Sequence, residues 1–84
     1  MNELPQSTAL DLRGLKCPLP ALRTRRALRS VPPGQVLIVT CSDPLSVVDI
    51  PHLIQETGDR LEQQNQKDGF YEFQIRRATP TTTD

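Results

Sequence analysis

The triplet Pro32-Pro33-Gly34 constrains this chain most, because neither a helix nor an interior strand runs through it. On its N-terminal side Ala21, Thr24, Leu28 and Val31 recur at the spacing of one helical face. Pro18 suits a first helical position and Pro20 still lies in the first turn, so the spacing predicts a helix over Pro18–Val31. On the C-terminal side Val36-Leu37-Ile38-Val39 is a continuous apolar run, bounded by Gly34 and by Ser42-Asp43-Pro44. Such a run reads as a strand in the middle of a sheet, here Gln35–Cys41.

The remaining elements fall around that centre. Thr8-Ala9-Leu10-Asp11-Leu12 alternates as a short half-buried strand does, and Gly14 then lets the backbone turn sharply. Val47, Ile50, Ile54 and Thr57 repeat the helical spacing, Ser46 with Asp49 resembles a capping box, and Gly58 sits where a C-terminal cap belongs. Pro51 allows two readings. Either the helix starts at Ser46 and forgoes one hydrogen bond, or Asp49 is the N-cap and Pro51 falls in the first turn. Asp59–Gln66 and Gly69–Arg77 read as a hairpin turned by Asp68-Gly69, with Tyr71, Phe73 and Ile75 on one face. The first of those strands has only Leu61 as a strong apolar residue, so it rests on the turn.

The order β-α-β-α-β-β predicts an α+β fold, a two-layer α/β sandwich whose four-stranded mixed sheet packs against two helices. A chain of 84 residues holds one domain, placed at residues 8–77, with 1–7 and 78–84 expected as flexible tails. Ten basic residues balance ten acidic ones, which argues against wholesale attraction to DNA, RNA or an anionic membrane. RNA binding through the basic first helix also lacks an aromatic stacking platform. The longest apolar run is far too short for a bilayer, and Met1–Pro5 has no signal-peptide character, so a soluble cytosolic protein is expected. Two cysteines and one histidine, His52, exclude a disulfide scaffold and give no metal-ligand spacing. His52 reads as an exposed helix residue.

Cys17 and Cys41 both fall at the C-terminal edge of the parallel strand pair, where α/β folds usually carry their sites. Cys17 closes a strand-to-helix turn. Its sulfur would face the positive end of helix one with Lys16 beside it, and both effects favour thiolate, a nucleophile and sulfur acceptor. Pro18 and Pro20 stiffen the turn that holds it. The competing reading makes Cys17 a small helix-capping residue. Cys41 reads as a small buried hydrophobe; the sharper reading has it approach Cys17 and resolve an oxidised sulfur into a disulfide.

The segment Asp11-Leu12-Arg13-Gly14-Leu15-Lys16-Cys17-Pro18-Leu19-Pro20 resembles the Cys-Pro-X-Pro signature of the TusA (SirA-like) sulfur-carrier family. Pro33-Gly34, Asp43-Pro44, Asp49-Ile50-Pro51, Gly58 and the closing Ile75-Arg76-Arg77 are similar to the family's later landmarks in order and spacing. The resemblance implies a βαβαββ sandwich and a sulfurtransferase or sulfur carrier, with Cys17 bearing sulfane sulfur as a persulfide. It implies no metal and no organic cofactor. Its partners would be a sulfur-donor protein such as a cysteine desulfurase and a downstream acceptor protein. Family members alike in these motifs serve tRNA thiolation, molybdenum-cofactor assembly or sulfur oxidation. Gly14, Lys16, Pro18 and Pro20 would support the site, and Asp11 and Arg13 lie near enough in sequence to tune it. Arg23, Arg26 and Arg29 form a basic stripe along helix one that would dock an acidic partner surface. Asp43 and Asp49 would either cap helix two or contact a partner, with capping favoured for Asp49. The alternative function is a non-catalytic interaction or regulatory module that binds through the basic face.

Overall fold

Alternation along the strands decides which face of the sheet is covered. The computed structural model describes residues 7–79, so most of both expected tails lies outside the described residues. Its elements are β1 (Ser7–Leu12), α1 (Leu19–Leu28), β2 (Val36–Cys41), α2 (Ser46–Thr57), β3 (Arg60–Lys67) and β4 (Phe70–Arg76). The sheet order is β1-β2-β4-β3, with β1 parallel to β2 and the other pairs antiparallel. This is the expected α+β, βαβαββ arrangement. The register sets Leu12, Cys41 and Tyr71 in one row and Leu10, Val39 and Phe73 in the next. Those residues point to the same face, and Leu28, Val31, Ile50 and Ile54 from the helical layer complete one core with them.

α1 is shorter than the spacing suggested. Pro18 stands at the N-cap, outside the helix, and Pro20 is buried in the first turn. At the other end the N–H groups of Arg29, Ser30 and Val31 bond carbonyls three residues back, so the chain tightens into a turn that still buries Val31. The Arg77 guanidinium donates to the Leu28 and Val31 carbonyls there, satisfying acceptors that the helix leaves open.

α2 begins at Ser46 and runs through Pro51, which settles the first of the two readings. Pro51 cannot donate to the Val47 carbonyl, and the helix keeps its course because Ile50, Leu53 and Ile54 are buried around that gap. No capping box forms. The Ser46 hydroxyl is buried without a hydrogen-bond partner, and Asp43 instead takes the Leu45 N–H on Oδ1 at 3.0 Å. The inward stripe is Ser46, Ile50, Leu53 and Ile54, while Val47 is half-buried and Thr57 exposed, a rotation from the expected Val47–Thr57 face. The helix ends at Gly58, whose N–H bonds the Ile54 carbonyl at 3.1 Å.

The hairpin forms as predicted. Asp68 and Gly69 both have positive φ, 36° and 85°, the handedness that matches the twist of paired strands. β3 therefore pairs along β4 although most of its side chains are exposed and polar. Among the described residues no helix is long and apolar enough to cross a membrane.

Candidate functional site

β1 and β2 run side by side and end together, so the loops that follow them meet. The first loop turns at Gly14, whose φ of 90° suits glycine, and its N–H donates to the Ser42 hydroxyl of the second loop at 2.8 Å. Three residues on, the Cys17 N–H donates to Asp43 Oδ2 at 2.6 Å. Asp43 thus bonds the cysteine loop with one oxygen and the start of α2 with the other. Those bonds, with the nearby Lys16 charge, hold its carboxyl below the usual range. The result is an open cleft of about 540 Å³ containing Gly14, Lys16, Cys17, Asp43 and Leu45.

Cys17 is exposed in this cleft, and its thiol donates to Asp49 Oδ2 of α2 at 2.7 Å. That bond first, then partial desolvation and the negative charges of Asp49 and Asp43, push the thiol pKa up. The expectation of a thiolate favoured by helix one is thereby corrected. The physical reason lies in the prolines: Pro18 and Pro20 have no N–H, and the Leu19 N–H is taken by the Lys16 carbonyl at 2.8 Å. At most the Ala21 N–H remains in that turn to face an anion. Asp49, expected as a cap, sits inside the first turn of α2 and serves the sulfur instead.

Other anticipated site residues lie elsewhere in their bonding. Arg13 clasps Asp11 through Nε and Nη2 at 2.8 and 2.7 Å and lies 5.2 Å from the Phe70 ring centroid, so this pair bonds itself and not Cys17. Arg23, Arg26 and Arg29 are exposed and, among the described residues, have no ion-pair partner, whereas Arg25 pairs with Glu56 of α2 at 3.2 Å. The stripe starts one turn into α1 and runs away from the cysteine to the C-cap at Arg29. Cys41 is fully buried, and burial pushes its thiol pKa up; both cysteines are free. His52 is exposed, 3.3 Å from Glu56.

The sequence reading passed over an apolar fringe. Leu19 and Leu22 on the first turns of α1, and Leu45 and Val48 at the start of α2, are 41%, 55%, 55% and 63% exposed, on the end of the fold that holds Cys17. The signal was present, since Leu22 lies off the Thr24–Leu28 face and Val48 off the Ile50–Ile54 face. Leu19, Leu22 and Val48 are apolar residues that their own helices do not bury, and Leu45 stands at the N-cap of α2.

A family model described as "Sulfurtransferase TusA" matches residues 8–77, the span that holds the cysteine loop and both helices. The chain belongs to the TusA family. It is 39% identical over 69 residues to the "Sulfur carrier protein TusA" of Allochromatium vinosum, covering 82% of this chain and 91% of that one. It is 35% identical to the TusA of Pseudomonas fluorescens, covering 90% of this chain and 92% of the other. In three dimensions it is similar to the SirA-like protein of Desulfitobacterium hafniense, with a TM-score of 0.75 at 26% identity over 86% of this chain and 99% of that one. Within the TusA frame, Cys17-Pro18-Leu19 is exposed at the strand edge, with Asp43 and Asp49 bonded to the cysteine, while Pro20 is buried beneath it.

Proposed function

We propose that this protein is a sulfur carrier that accepts sulfane sulfur on Cys17 as a persulfide from a donor protein and relays it to an acceptor protein. The observation that carries this is the exposed Cys17 thiol at the lip of an open cleft, in the Cys-Pro-Leu-Pro segment of a TusA-family chain. A stoichiometric carrier needs a reactive atom that two different proteins can reach in turn, and an exposed sulfur on a strand-edge loop meets that need. Over many cycles the same relay amounts to sulfurtransferase activity, in keeping with the reducing setting of the cytoplasm.

In the loading step the Cys17 Sγ attacks the terminal sulfur of the donor's persulfide. A new S–S bond forms on Cys17 as the donor's S–S bond breaks, and the donor cysteine leaves as a thiolate that takes up the proton Cys17 gives up. No net oxidation occurs. Unloading repeats the exchange, with Cys17 as the leaving group. The exposed Leu19, Leu22, Leu45 and Val48 offer apolar contact area to the proteins that approach, and Arg23, Arg26 and Arg29 offer charge complementary to an acidic surface.

The test is intact-mass analysis after brief incubation with a cysteine desulfurase and cysteine. The wild-type chain is expected to gain one thiol-labile sulfur, Cys41→Ser to gain it equally, and Cys17→Ser to gain none. A wild-type chain that gains none from a competent donor leaves the unpaired arginine stripe as the chief functional surface and favours the non-catalytic binding module.

A further inference from the structure

Asp43 and Asp49 approach Cys17 from two separate elements, the loop after β2 and the first turn of α2. One holds its backbone N–H and the other its thiol. Among the described residues Asp11, Glu56, Asp59 and Glu62 each have a basic side chain within salt-bridge distance, whereas Asp43 and Asp49, like Asp68 and Glu72 of the hairpin, have none. The Lys16 charge acts on Asp43. The first turn of α1, which packs beside the site, contributes no charged side chain. An exposed sulfur thus sits between two carboxylates, with Lys16 in the same open cleft but, among the described residues, no basic side chain within salt-bridge distance of either carboxylate.

Resting on the persulfide reading above, we propose that Asp49 keeps Cys17 a thiol in the free carrier, and that a cationic side chain of the sulfur donor, drawn to Asp43 and Asp49, releases it for attack on docking. In the free protein the S–H bond points at a carboxylate, and loss of its proton would set three negative charges together. A guanidinium or ammonium group seated on Asp49 removes the acceptor of that hydrogen bond and reverses the local field. The proton leaves to the donor's departing thiolate, so the exchange balances as written for the loading step. Once loaded, the terminal sulfur stands about 2 Å beyond Sγ, outside the hydrogen bond that Asp49 makes to the bare thiol. The hydrogen bond therefore guards the empty carrier, and on delivery, when Cys17 leaves as a thiolate beside the same carboxylates, a cation of the acceptor would serve as the donor's did. In the free carrier the hydrogen bond suppresses chance alkylation and oxidation between encounters.

Iodoacetamide tests this without any protein donor, because Cys41 is buried and the fast adduct reports Cys17. In wild type the midpoint of the alkylation rate against pH is expected above that of free cysteine. Asp49→Asn should lower the midpoint by about one unit and raise the rate at pH 7 about threefold, because a tenfold gain in thiolate is partly offset by its lower intrinsic nucleophilicity. Asp49→Glu should keep the wild-type profile. The rate of sulfur loading from a cysteine desulfurase, divided by the iodoacetamide rate, should fall in Asp49→Asn, since the donor then has no gate to open. A wild-type midpoint at or below that of free cysteine overturns the proposal whatever the variants do. So does a folded Asp49→Asn that is alkylated no faster than wild type. Failure of the wild type to take sulfur from the desulfurase would instead remove the persulfide reading, and leaves the iodoacetamide result to be judged separately.

Discussion

Arg13 and Asp11 form a bidentate pair at the edge of the cysteine loop, and the Arg13 guanidinium also covers the Phe70 ring. The bond from Arg13 lowers the Asp11 carboxyl to about 2, so this acid ionises earlier in the folded chain than in the unfolded one. Its contribution to stability is complete above the ordinary value of 3.8 and drains away as pH falls toward 2. Cys17, shifted upward, works in the opposite sense: its contribution holds below the ordinary thiol pKa and is lost as pH rises through the folded one. Titration of the side-chain carboxyl carbon by NMR should place Asp11 near 2, and Arg13→Ala should return it toward 3.8 while leaving Cys17 alkylation unchanged. A change in Cys17 reactivity would mean that the pair does tune the sulfur. The cysteine itself, its two prolines and Gly14 were legible in sequence because they act within a few residues of one another. The sign of the field on the sulfur was not, because it is set by Asp49, 32 residues away, and by N–H groups that the same prolines delete.

At the level of elements, local chemistry was the readable part. Asp68-Gly69 specified the hairpin by itself, and β3 formed on that turn with Leu61 as its one strong apolar anchor. Gly69→Ala places a side chain at φ 85° with open space around it, so the cost is conformational, about 1 kcal/mol. Urea denaturation should show a lower midpoint with an unchanged slope, whereas a changed slope would mean that the hairpin opens separately. The phase of α2 was less readable. Val47, Ile50, Ile54, Thr57 and Ser46, Ile50, Leu53, Ile54 both satisfy helical spacing, and only the position of the sheet chooses the second. The end of α1 was misplaced for a related reason: Val31 is buried by a tightened turn that Arg77 holds from 46 residues away, and periodicity does not distinguish that turn from continuing helix.

Across the whole molecule, element order and burial together made the fold legible, since four short strands and two helices in this order have few ways to share one core. The partner-facing end was not, because exposed apolar residues scatter through any sequence and acquire meaning only when the fold gathers them. Leu45 lines the cysteine cleft and Val48 lies in the first turn of α2, both at more than half exposure, so a polar residue at either position should leave stability within about 0.5 kcal/mol. Leu45→Ser and Val48→Ser, which remove the apolar contact without adding charge, are expected to slow sulfur loading from a desulfurase about tenfold and to leave loading from a small polysulfide unchanged. Equal slowing with both donors would move these residues from docking to chemistry.

Cys41 adds a last consequence. Its sulfur lies in the row between Leu12 and Tyr71 with no exposed surface, while Cys17 stands in the open. The native chain therefore contains a fast thiol and a protected one, and the protected one is reached only when the sheet parts from its helices. A reagent that counts thiols against time reads the site in its first phase and the breathing of the core in its second. Loading with sulfur, variation of the site and binding of a partner can then be compared for what they do to the interior, in unlabelled wild-type protein, on one clock.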